Sequence, residues 1–242
     1  MRNHRIHTEL ALEPGKTVIL PAEPAHYLSR VLRAVAGQTI VLFNGNGLDY
    51  KAEITGFRRD TVQLMVHGSL PACSESPLQL TLVQAVSRGE RMDLTLQKAT
   101  ELGVMAFQPV FTARTEVRLT ADKTMRRMEH WRKVIISACE QSGRACLPAL
   151  HEPVDLLHWM QSETQASRVV LAPGASRSLA GLSVAGAVEL VVGPEGGFET
   201  FELDSLERNG VLPVSLGPRV LRTETAGPAA VAILQAVAGD LA

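Results

Sequence analysis

Two glycine-containing turns carry the residue types in this sequence that could do chemistry. Residues 193–198 are Gly-Pro-Glu-Gly-Gly-Phe, and residues 216–226 are Leu-Gly-Pro-Arg-Val-Leu-Arg-Thr-Glu-Thr-Ala. Glycine has no Cβ, so the backbone N–H and C=O groups of these turns can approach a ligand closely. A carboxylate can accept a proton, and a guanidinium can stabilise a developing negative charge. Together the two turns indicate a ligand site that can support proton transfer or charge development.

The elements around the turns predict that they lie side by side. Each turn follows a short β-branched run, at 188–192 and 211–216, and an amphipathic segment, 199–209, separates them. This is the pattern of a strand–helix–strand unit, and open α/β sheets bind ligands at the carboxyl ends of such strands. The glycine spacing fits neither the P-loop nor the dinucleotide fingerprint. A nucleotide- or NAD-using enzyme is therefore disfavoured.

The charged residues of the second turn allow two interpretations. Arg219, Arg222 and Glu224 stand close to an Ala/Val/Leu-rich segment, 226–237, that is typical of a buried helix. Charges beside a buried helix need partners or a function, because an unpaired buried charge is costly. One interpretation is a chemically active site. The other is an Arg–Glu pair that only fixes the loop.

Length and turn-forming residues predict two domains, at 1–72 and 78–242. A chain of 242 residues favours one large or two small domains, and segment 70–77 has two prolines and two serines between apolar runs, as an interdomain linker would. Before it, short alternating runs predict a small antiparallel β domain. The predicted strands are 17–20, 38–43, 49–57 and 61–66, and a helical insertion is predicted at 24–35.

After the linker, strand-like and helix-like segments alternate, which predicts a parallel sheet covered on both faces. The predicted strands are 78–86, 106–111, 168–171, 188–192 and 211–216, and the predicted helices are 92–102, 122–141, 199–209 and 226–237. Within 122–141, apolar residues recur at three-to-four spacing. We expect Trp131 in this segment to lie in the core or on a dimer surface.

Composition argues for a cytoplasmic protein without metal. The three cysteines form no CxxC pair, and no histidine is spaced with them as a zinc site requires. No apolar run approaches the length that a bilayer span needs. We therefore expect a soluble protein of the reducing cytosol, with no metal and no membrane partner.

The charge distribution is uneven although the net charge is only −1. Residues 1–77 have a net charge of +1, residues 78–146 of +4, and the remainder of −6. Phosphate binding needs a local basic patch rather than a basic whole. The basic residues at 126, 127, 132 and 133 are typical of a solvated helix face. Arg88, Arg91 and Arg144 stand at turns or helix ends, and for them RNA contact is the better interpretation.

Five sequence blocks resemble the RsmE-type small-subunit rRNA (uracil-N3)-methyltransferases of the SPOUT superfamily. They are residues 87–92, 97–104, 138–144, 193–197 and 216–225, so the resemblance runs the length of the chain. It implies an α/β fold, in which a SPOUT-type parallel sheet with a C-terminal trefoil knot at roughly 171–234 follows a PUA-like RNA-binding β-barrel. Physical rules alone would not predict the knot, because connections that thread a loop are nearly absent from proteins.

The resemblance also implies that three loops bind S-adenosylmethionine, with the adenine held mostly by backbone groups. The implied cofactor-binding residues are Leu171, Ala172, Pro173, Gly193, Pro194, Glu195, Gly196, Gly197, Leu216, Gly217, Arg219, Val220, Leu221 and Thr223.

The implied reaction transfers a methyl group to ring N3 of one uridine in 16S rRNA. That nitrogen carries a proton at neutral pH, so a base or a cation must stand beside it. Arg222 or Arg219 would stabilise negative charge on the uracil oxygens, and Glu224 or Glu195 would accept the proton or orient the arginine. The residues alone do not decide between the two carboxylates.

The implied partners are the small ribosomal subunit and a second copy of the chain. N3 lies on the Watson–Crick edge, so the target base must be unpaired or pulled from its stack. Gln141, Ser142 and Arg144 are candidates to reach across the dimer. The candidate RNA-binding residues are Arg2, Arg5, Arg30, Arg33, Arg88, Arg91, Lys98, Gln141 and Arg144.

One departure and two alternatives accompany the resemblance. Pro228, where no proline is expected, is compatible with the first turn of a helix. A SPOUT enzyme could act on another RNA position, such as a ribose hydroxyl. A non-catalytic RNA-binding protein would have no use for two glycine turns with Arg and Glu.

Overall fold

The computed structural model describes residues 4–73, 75–117 and 120–241, which form two compact units. The first unit runs to Glu75 and includes Cys139–Leu147, and the second comprises Ser76–Ala138 and the chain from Pro148 onward. The division at 75/76 falls within the segment expected to be a linker. Arg2, an RNA-binding candidate, lies outside the described residues.

The first unit is a five-stranded sheet in the order β1-β3-β4-β5-β2. Strand β1 pairs parallel to β3, and the other pairs are antiparallel. The alternation of buried and more exposed residues along β5 gives the sheet one apolar face, as a period of two requires. The strands are β1 (Arg5–His7), β2 (Thr17–Leu20), β3 (Thr39–Phe43), β4 (Leu48–Arg58) and β5 (Thr61–Pro71).

The helical insertion of the first unit is shorter than predicted. Helix α1 (Ala22–His26) continues as a single π-helical turn, Tyr27–Val31. Arg33 then has a φ of 51°, in the left-handed region that side chains with a Cβ rarely adopt. The helix therefore ends before Arg33 rather than at residue 35.

The second unit is a seven-stranded parallel sheet with helices on its faces. The strand order is β12-β10-β11-β6-β7-β8, and β9 pairs with β7. The strands are β6 (Gln79–Ala85), β7 (Ala106–Phe111), β8 (Ala149–Leu150), β9 (Val154–Asp155), β10 (Ser167–Leu171), β11 (Ala187–Val192) and β12 (Leu212–Val214). The helices are α2 (Glu90–Glu101), α3 (Ala121–Ser142), α4 (Leu156–Met160), α5 (Thr200–Arg208) and α6 (Thr223–Ala238).

Burial in the second unit follows from the parallel sheet. Leu82, Val83 and Val191 on central strands are fully buried, because helices cover both faces. Trp131 of α3 is also fully buried, which confirms its prediction as a core residue.

Short elements escaped the sequence patterns. Strands β8 and β9 have two residues each, and α4 has five, which is too few for a periodic signal. Helix α4 nevertheless has a side-chain cap, because Asp155 accepts a hydrogen bond from the backbone N–H of Leu157 at 2.9 Å.

The strand order brings three loops together. Strand β10 is not adjacent to β6, because β11, which follows it in the chain, lies between them. Strand β12 then pairs with the other edge of β10. All three strands are parallel, so their carboxyl ends lie at one edge of the sheet. The loops that follow them meet at a point where the strand order reverses, which is where such sheets bind ligands.

Candidate functional site

A cavity of about 460 Å³ lies at the carboxyl ends of β10, β11 and β12. The turns at 193–198 and 216–226, which the sequence predicts to be neighbours, both line it. All of the predicted cofactor-binding residues except Gly196 line this cavity. They are Leu171, Ala172, Pro173, Gly193, Pro194, Glu195, Gly197, Leu216, Gly217, Arg219, Val220, Leu221 and Thr223.

Gly196 is the exception and faces a different neighbour. Its carbonyl oxygen accepts a hydrogen bond from Nη1 of Arg114 at 2.8 Å. A Cβ at position 196 would lie 3.3 Å from Cβ of Arg114, so this glycine allows the close approach of a side chain.

Apolar side chains outside the predicted cofactor-binding set form part of the wall, two of them at the ends of the predicted turns. They are Val192, Phe198, Leu203, Val214 and Ala226. A Cβ at Gly193 would come within 2.9 Å of the Phe198 ring, which explains why the first residue of the turn is glycine. Val192, Leu203 and Val214 lie on β11, α5 and β12, where sequence spacing does not distinguish an apolar residue of a cavity wall from one of the ordinary core.

A buried hydrogen-bond chain fixes the two turns to each other. Oγ1 of Thr223 donates to the carbonyl oxygen of Gly193 at 2.8 Å and accepts from Nε2 of Gln84 at 2.9 Å. Gln84 is fully buried on β6. Gln84 was not among the predicted site residues, although a glutamine in the apolar second half of β6 was a sequence signal for this role.

Helix α6 begins earlier than predicted, which changes the position of Pro228. The helix begins at Thr223 rather than 226, so Pro228 lies inside it, beyond the first turn. Proline has no N–H, so the carbonyl of Glu224 receives no helical hydrogen bond from residue 228. The preceding Gly227 allows close packing, because a Cβ there would lie 3.2 Å from Oε1 of Gln84.

Arg91 lies between the two carboxylates at the rim of the cavity. Its Nη1 donates to Oε1 of Glu195 at 2.9 Å, and its Nε lies 3.8 Å from Oε1 of Glu224. Glu195 also accepts a hydrogen bond from the backbone N–H of Arg88 at 3.1 Å. We assigned Arg91 to RNA contact from sequence, and the structure brings it into the cavity.

The two carboxylates differ in their hydrogen bonding. Burial by itself raises the pKa of Glu195, but hydrogen bonds from its own backbone, from Arg91 and from Arg88 outweigh this effect and hold the pKa below its ordinary value of 4.5. Glu224 is different, because its side chain is 14% exposed and its buried Oε2 has no hydrogen-bond partner within the described part of the chain. Oε1 of Glu195 thus accepts from two donors, whereas Oε2 of Glu224 has no partner among the described residues.

Arg219 and Arg222 are exposed residues of the same rim. Arg222 is the residue before α6, and its carbonyl oxygen accepts the backbone N–H groups of Thr225 and Ala226. All four catalytic candidates from the sequence therefore line one cavity.

A second cavity, of about 530 Å³, shares Arg91 and Glu224 with the first. Its other lining residues come from α2 and α3: they are Glu90, Asp93, Leu94, Gln97, Val134 and Ser137. The sequence analysis did not predict this cavity, because it arises from the packing of segments that are distant in the chain.

Several RNA-binding candidates are exposed. Arg88 pairs with Glu116 at 2.8 Å, and Nζ of Lys98 contacts the Glu101 carboxylate at 3.0 Å. Arg30, Arg33 and Gln141 are also exposed.

Arg5 and Arg144, which were predicted to contact RNA, instead form contacts inside the first unit. Arg5 pairs with Asp49 and donates from Nη2 to the carbonyl oxygen of Arg144 at 3.0 Å. The Arg144 side chain is 6% exposed, and its Nε donates to Oε2 of Glu75 at 3.0 Å. Their charges are compensated inside the first unit, so we correct the assignment and remove both residues from the RNA-binding set.

Neither a metal-binding cluster nor a membrane-spanning helix is present within the described ranges. No group of three or more His, Cys, Asp or Glu residues there is arranged to hold a metal ion. Likewise, none of the helices in that part of the chain has both the length and the apolar character for crossing a bilayer.

Comparison with known proteins gives consistent matches over both units. The family model described as an RNA methyltransferase domain matches residues 74–235, and that of an RNA methyltransferase PUA domain matches residues 20–64. The ribosomal RNA small subunit methyltransferase E of Buchnera aphidicola subsp. Schizaphis graminum is 31% identical over 239 residues, covering 98% of this chain and 97% of that protein.

Two solved structures are similar over their whole length. A methyltransferase from Legionella pneumophila, in complex with the bound cofactor SAM, is 38% identical with a TM-score of 0.96, and 100% of both chains is covered. A ribosomal RNA small subunit methyltransferase E from Neisseria gonorrhoeae, bound to S-adenosyl methionine, is 34% identical with a TM-score of 0.93 and the same full coverage.

Proposed function

This chain belongs to the RNA methyltransferase family of ribosomal RNA small subunit methyltransferase E, and on that premise we propose that it methylates N3 of one uridine in 16S rRNA. It is an S-adenosylmethionine-dependent rRNA methyltransferase with an N-terminal PUA-like unit. The choice of N3 as the acceptor atom is the specific part of the proposal. Because its substrate is ribosomal RNA, we propose that it acts in the cytoplasm.

The observation that carries the proposal is the single cavity formed by three loops at adjacent strand ends. Its volume of about 460 Å³ lies within the range of small-molecule sites, roughly 300–1,000 Å³. Apolar walls such as Phe198 and Val214 suit an adenine ring, and glycine backbone suits its polar edge. At the rim, Glu195 is paired with Arg91, and the Glu224 carboxylate is the group that can face the positive charge of a sulfonium. The residues present therefore fit S-adenosylmethionine.

We also propose that the segment from about 171 to 234 forms the trefoil knot of the SPOUT fold. The strand order supports this, because β11 is inserted beside β10 and the chain then returns to the far side of β10 to form β12. The loops at 193–197 and 216–222 would be the crossing segments.

The chemistry requires removal of the N3 proton at a site that also holds an electrophilic methyl group, which S-adenosylmethionine supplies when bound. The transfer forms the N3–methyl bond and breaks the sulfur–methyl bond, whose electron pair stays on sulfur. The proton must pass to a base as the nitrogen becomes a nucleophile. Holding the donor and the acceptor in the reactive geometry can lower the activation barrier further, by roughly 7–11 kcal/mol.

We assign the proton-accepting role to Glu224 and an orienting role to Glu195. Glu224 lines the cavity, and its buried Oε2 has no hydrogen-bond partner within the described residues, so this carboxylate is less committed to internal hydrogen bonds than that of Glu195. Glu195 is held by Arg91 and by the Arg88 backbone, and its lowered pKa makes it a weaker base. Glu195 instead keeps the Arg91 guanidinium at the rim.

Arg222 and Arg219 would stabilise the negative charge that develops on the uracil oxygens. Both line the cavity, and both are exposed rather than committed to an ion pair among the described contacts. A cation at this place lowers the energy of the ionised base without itself losing a proton.

The RNA and dimer assignments stay part of the proposal. The candidates for contact with the small subunit are the exposed Arg30, Arg33, Arg88 and Gln141 and the half-buried Lys98. Partly exposed apolar residues near the end of α6, Val237 and Leu241, offer surface that a second copy could cover.

Nucleoside analysis tests the proposed function. The protein is incubated with labelled S-adenosylmethionine and small subunits that lack the modification, and the rRNA is digested to nucleosides. We expect label in 3-methyluridine. Label in a 2′-O-methyl nucleoside would assign the ribose hydroxyl as acceptor, and the absence of labelled RNA together with intact RNA binding would favour a non-catalytic RNA-binding protein.

A further inference from the structure

We propose that the second cavity binds the uracil ring of the target nucleotide. This inference rests on the proposed function, and it adds the place and the recognition of the acceptor base. No sequence pattern and no family match assigns a role to this cavity. Its volume of about 530 Å³ is sufficient for a nucleoside, because small-molecule sites occupy roughly 300–1,000 Å³.

The first observation is that the two cavities share their reactive residues. Arg91 and Glu224 are the residues that line both. A ring in the second cavity would therefore contact the Glu224 carboxylate from one side, while the methyl donor site lies on the other side. A transfer between two bound molecules needs such a common boundary.

The second observation is the charge of the second cavity. Three carboxylates, those of Glu90, Asp93 and Glu224, face a single guanidinium, that of Arg91. An excess of negative charge disfavours a phosphate group and tolerates a neutral ring that donates an N–H. The occupant that fits is therefore the neutral base and not the RNA backbone.

The third observation is the mixed surface of the walls. Leu94, which is 42% exposed, and Val134 offer apolar contact to the face of a ring. Gln97 and Ser137 can donate and accept hydrogen bonds. This combination of apolar face and few polar groups is typical of a site for a small ring.

The shared residues predict which base is accepted. Uracil presents an N3–H donor between two carbonyl oxygens, so the Glu224 carboxylate, which lines the cavity, can accept from N3 while Arg91 donates to one oxygen. Cytosine has an unprotonated N3 and an amino group beside it. Cytosine would therefore place its N3 acceptor against the Glu224 carboxylate, or its amino group, a donor, against the Arg91 guanidinium. We infer that Glu224 is the base-reading group and that Arg91 is a positioning residue that holds the ring against it.

Filling the second cavity tests the inference. Leu94→Trp adds an aromatic ring to the cavity wall, and Gln97→Trp, one helical turn further along α2, does so from an adjacent position. Met125→Trp is the matched control, because Met125 is exposed on α3 and lines neither cavity. Titration calorimetry with S-adenosylmethionine reports whether each variant is folded and keeps the first cavity intact.

The main readout is binding of small subunits without any methyl donor. Wild-type protein should bind unmodified subunits at least about tenfold more tightly than subunits that already carry 3-methyluridine, because methylation removes the N3–H and adds bulk. Leu94→Trp and Gln97→Trp should lose this discrimination. They should also lower the methylation kcat/KM by about 100-fold, with donor affinity within about twofold of wild type.

The possible outcomes separate this inference from the proposed function. If wild-type protein yields no 3-methyluridine, the proposed function itself fails. If it does, and both tryptophan variants discriminate and methylate as Met125→Trp does, the second cavity is not the base site. If a tryptophan variant instead sediments as a smaller species, the cavity is covered by a second copy, and the inference is likewise overturned.

Discussion

The most informative substitution in this protein is Glu224→Gln. Glutamine keeps the shape of the side chain, and its amide oxygen can still accept a hydrogen bond, but it cannot take up a proton at neutral pH. Oε2 of Glu224 is buried without a hydrogen-bond partner among the described residues, so the substitution breaks no internal bond at that atom. The contact that changes is the one between Oε1 and Nε of Arg91, at 3.8 Å, and it is weak at that distance.

The expected loss is therefore the loss of a general base. Such a loss lowers the rate by about 100- to 10,000-fold, which corresponds to about 3–5 kcal/mol of transition-state stabilisation. The Glu224 side chain is only 14% exposed, so solvent replaces it poorly, and we expect the middle of that range. Affinity for the donor should stay within about threefold of wild type, because the apolar walls and the glycine loops are unchanged.

The assay is the initial rate of 3-methyluridine formation at saturating donor, measured from pH 6 to 9. The variant must rely on solvent to ionise N3, so its rate should rise by about tenfold per pH unit, whereas the wild-type rate should be much flatter. Small subunits that contain 5-fluorouridine provide a rescue, because fluorine withdraws electrons and makes the N3 proton more acidic. These subunits should increase the methylation rate of the variant by a much larger factor than that of the wild type.

Glu195→Gln is the matched control at the other rim carboxylate. It should weaken the position of Arg91 and give a smaller loss, with no added pH slope and no selective rescue by 5-fluorouridine. A Glu224→Gln protein with the wild-type rate and pH profile would show that Glu224 is not the general base. Equal rescue of both variants would refute the assignment of the proton to Glu224.

Further predictions concern the frame of the site. Gly193→Ala places a Cβ 2.9 Å from the neighbouring phenylalanine ring, so it should lower both donor affinity in calorimetry and stability in urea denaturation, the latter by about 1–3 kcal/mol. Thr223→Val removes the hydroxyl that bonds the carbonyl oxygen of Gly193 at 2.8 Å, and should cost about 1–3 kcal/mol in the same denaturation assay; unchanged stability would show that the bond does not hold the turns. Arg144→Met leaves the Glu75 carboxylate without its partner and should destabilise the first unit, at the low end of about 3–5 kcal/mol because Glu75 is partly exposed. Donor binding should persist in that variant, and its loss would contradict a role confined to the first unit. The lowered pKa of Glu195 means that its ionised form stabilises the fold above the ordinary carboxyl value of 4.5, and that this contribution is lost as the pH falls through the lower folded value. Glu195→Gln should therefore flatten the acid limb of a stability-against-pH curve, and an unchanged limb would show that the ion pair with Arg91 contributes nothing.

Local sequence signals predicted the first cavity because its parts are local. Each turn directly follows its strand, so a β-branched run ended by glycine was enough to place 193–198 and 216–222 at the sheet edge. The beginning of α6 was predicted three residues late, because Thr223, Glu224 and Thr225 do not continue the apolar pattern that marks the helix from Ala226 onward. Pro228 was consequently placed in the first turn, whereas it lies deeper in the helix.

The roles of charged residues were harder to predict, because a sequence does not show which residues form ion pairs with each other. Arg144 and Arg91 stand in similar family blocks, yet Arg144 is buried against Glu75, and Arg91 reaches the rim of the cavity. The second cavity depends on α2, α3 and the beginning of α6, which are separated by many residues in the chain. Neither periodicity nor spacing in the sequence indicates such packing. The proposed knot cannot be predicted from physical rules either, because connections that thread a loop are nearly absent from proteins.

The proposed reaction places a methyl group on the Watson–Crick edge of a single uridine in 16S rRNA. Primer extension on rRNA from small subunits treated with the protein and S-adenosylmethionine tests it most directly, because a methyl group at N3 blocks pairing and stops reverse transcription. We predict one new, donor-dependent stop, one nucleotide before a uridine, that is absent with Glu224→Gln at neutral pH. Methyl transfer without any such stop, or with stops at many positions, would contradict the claim.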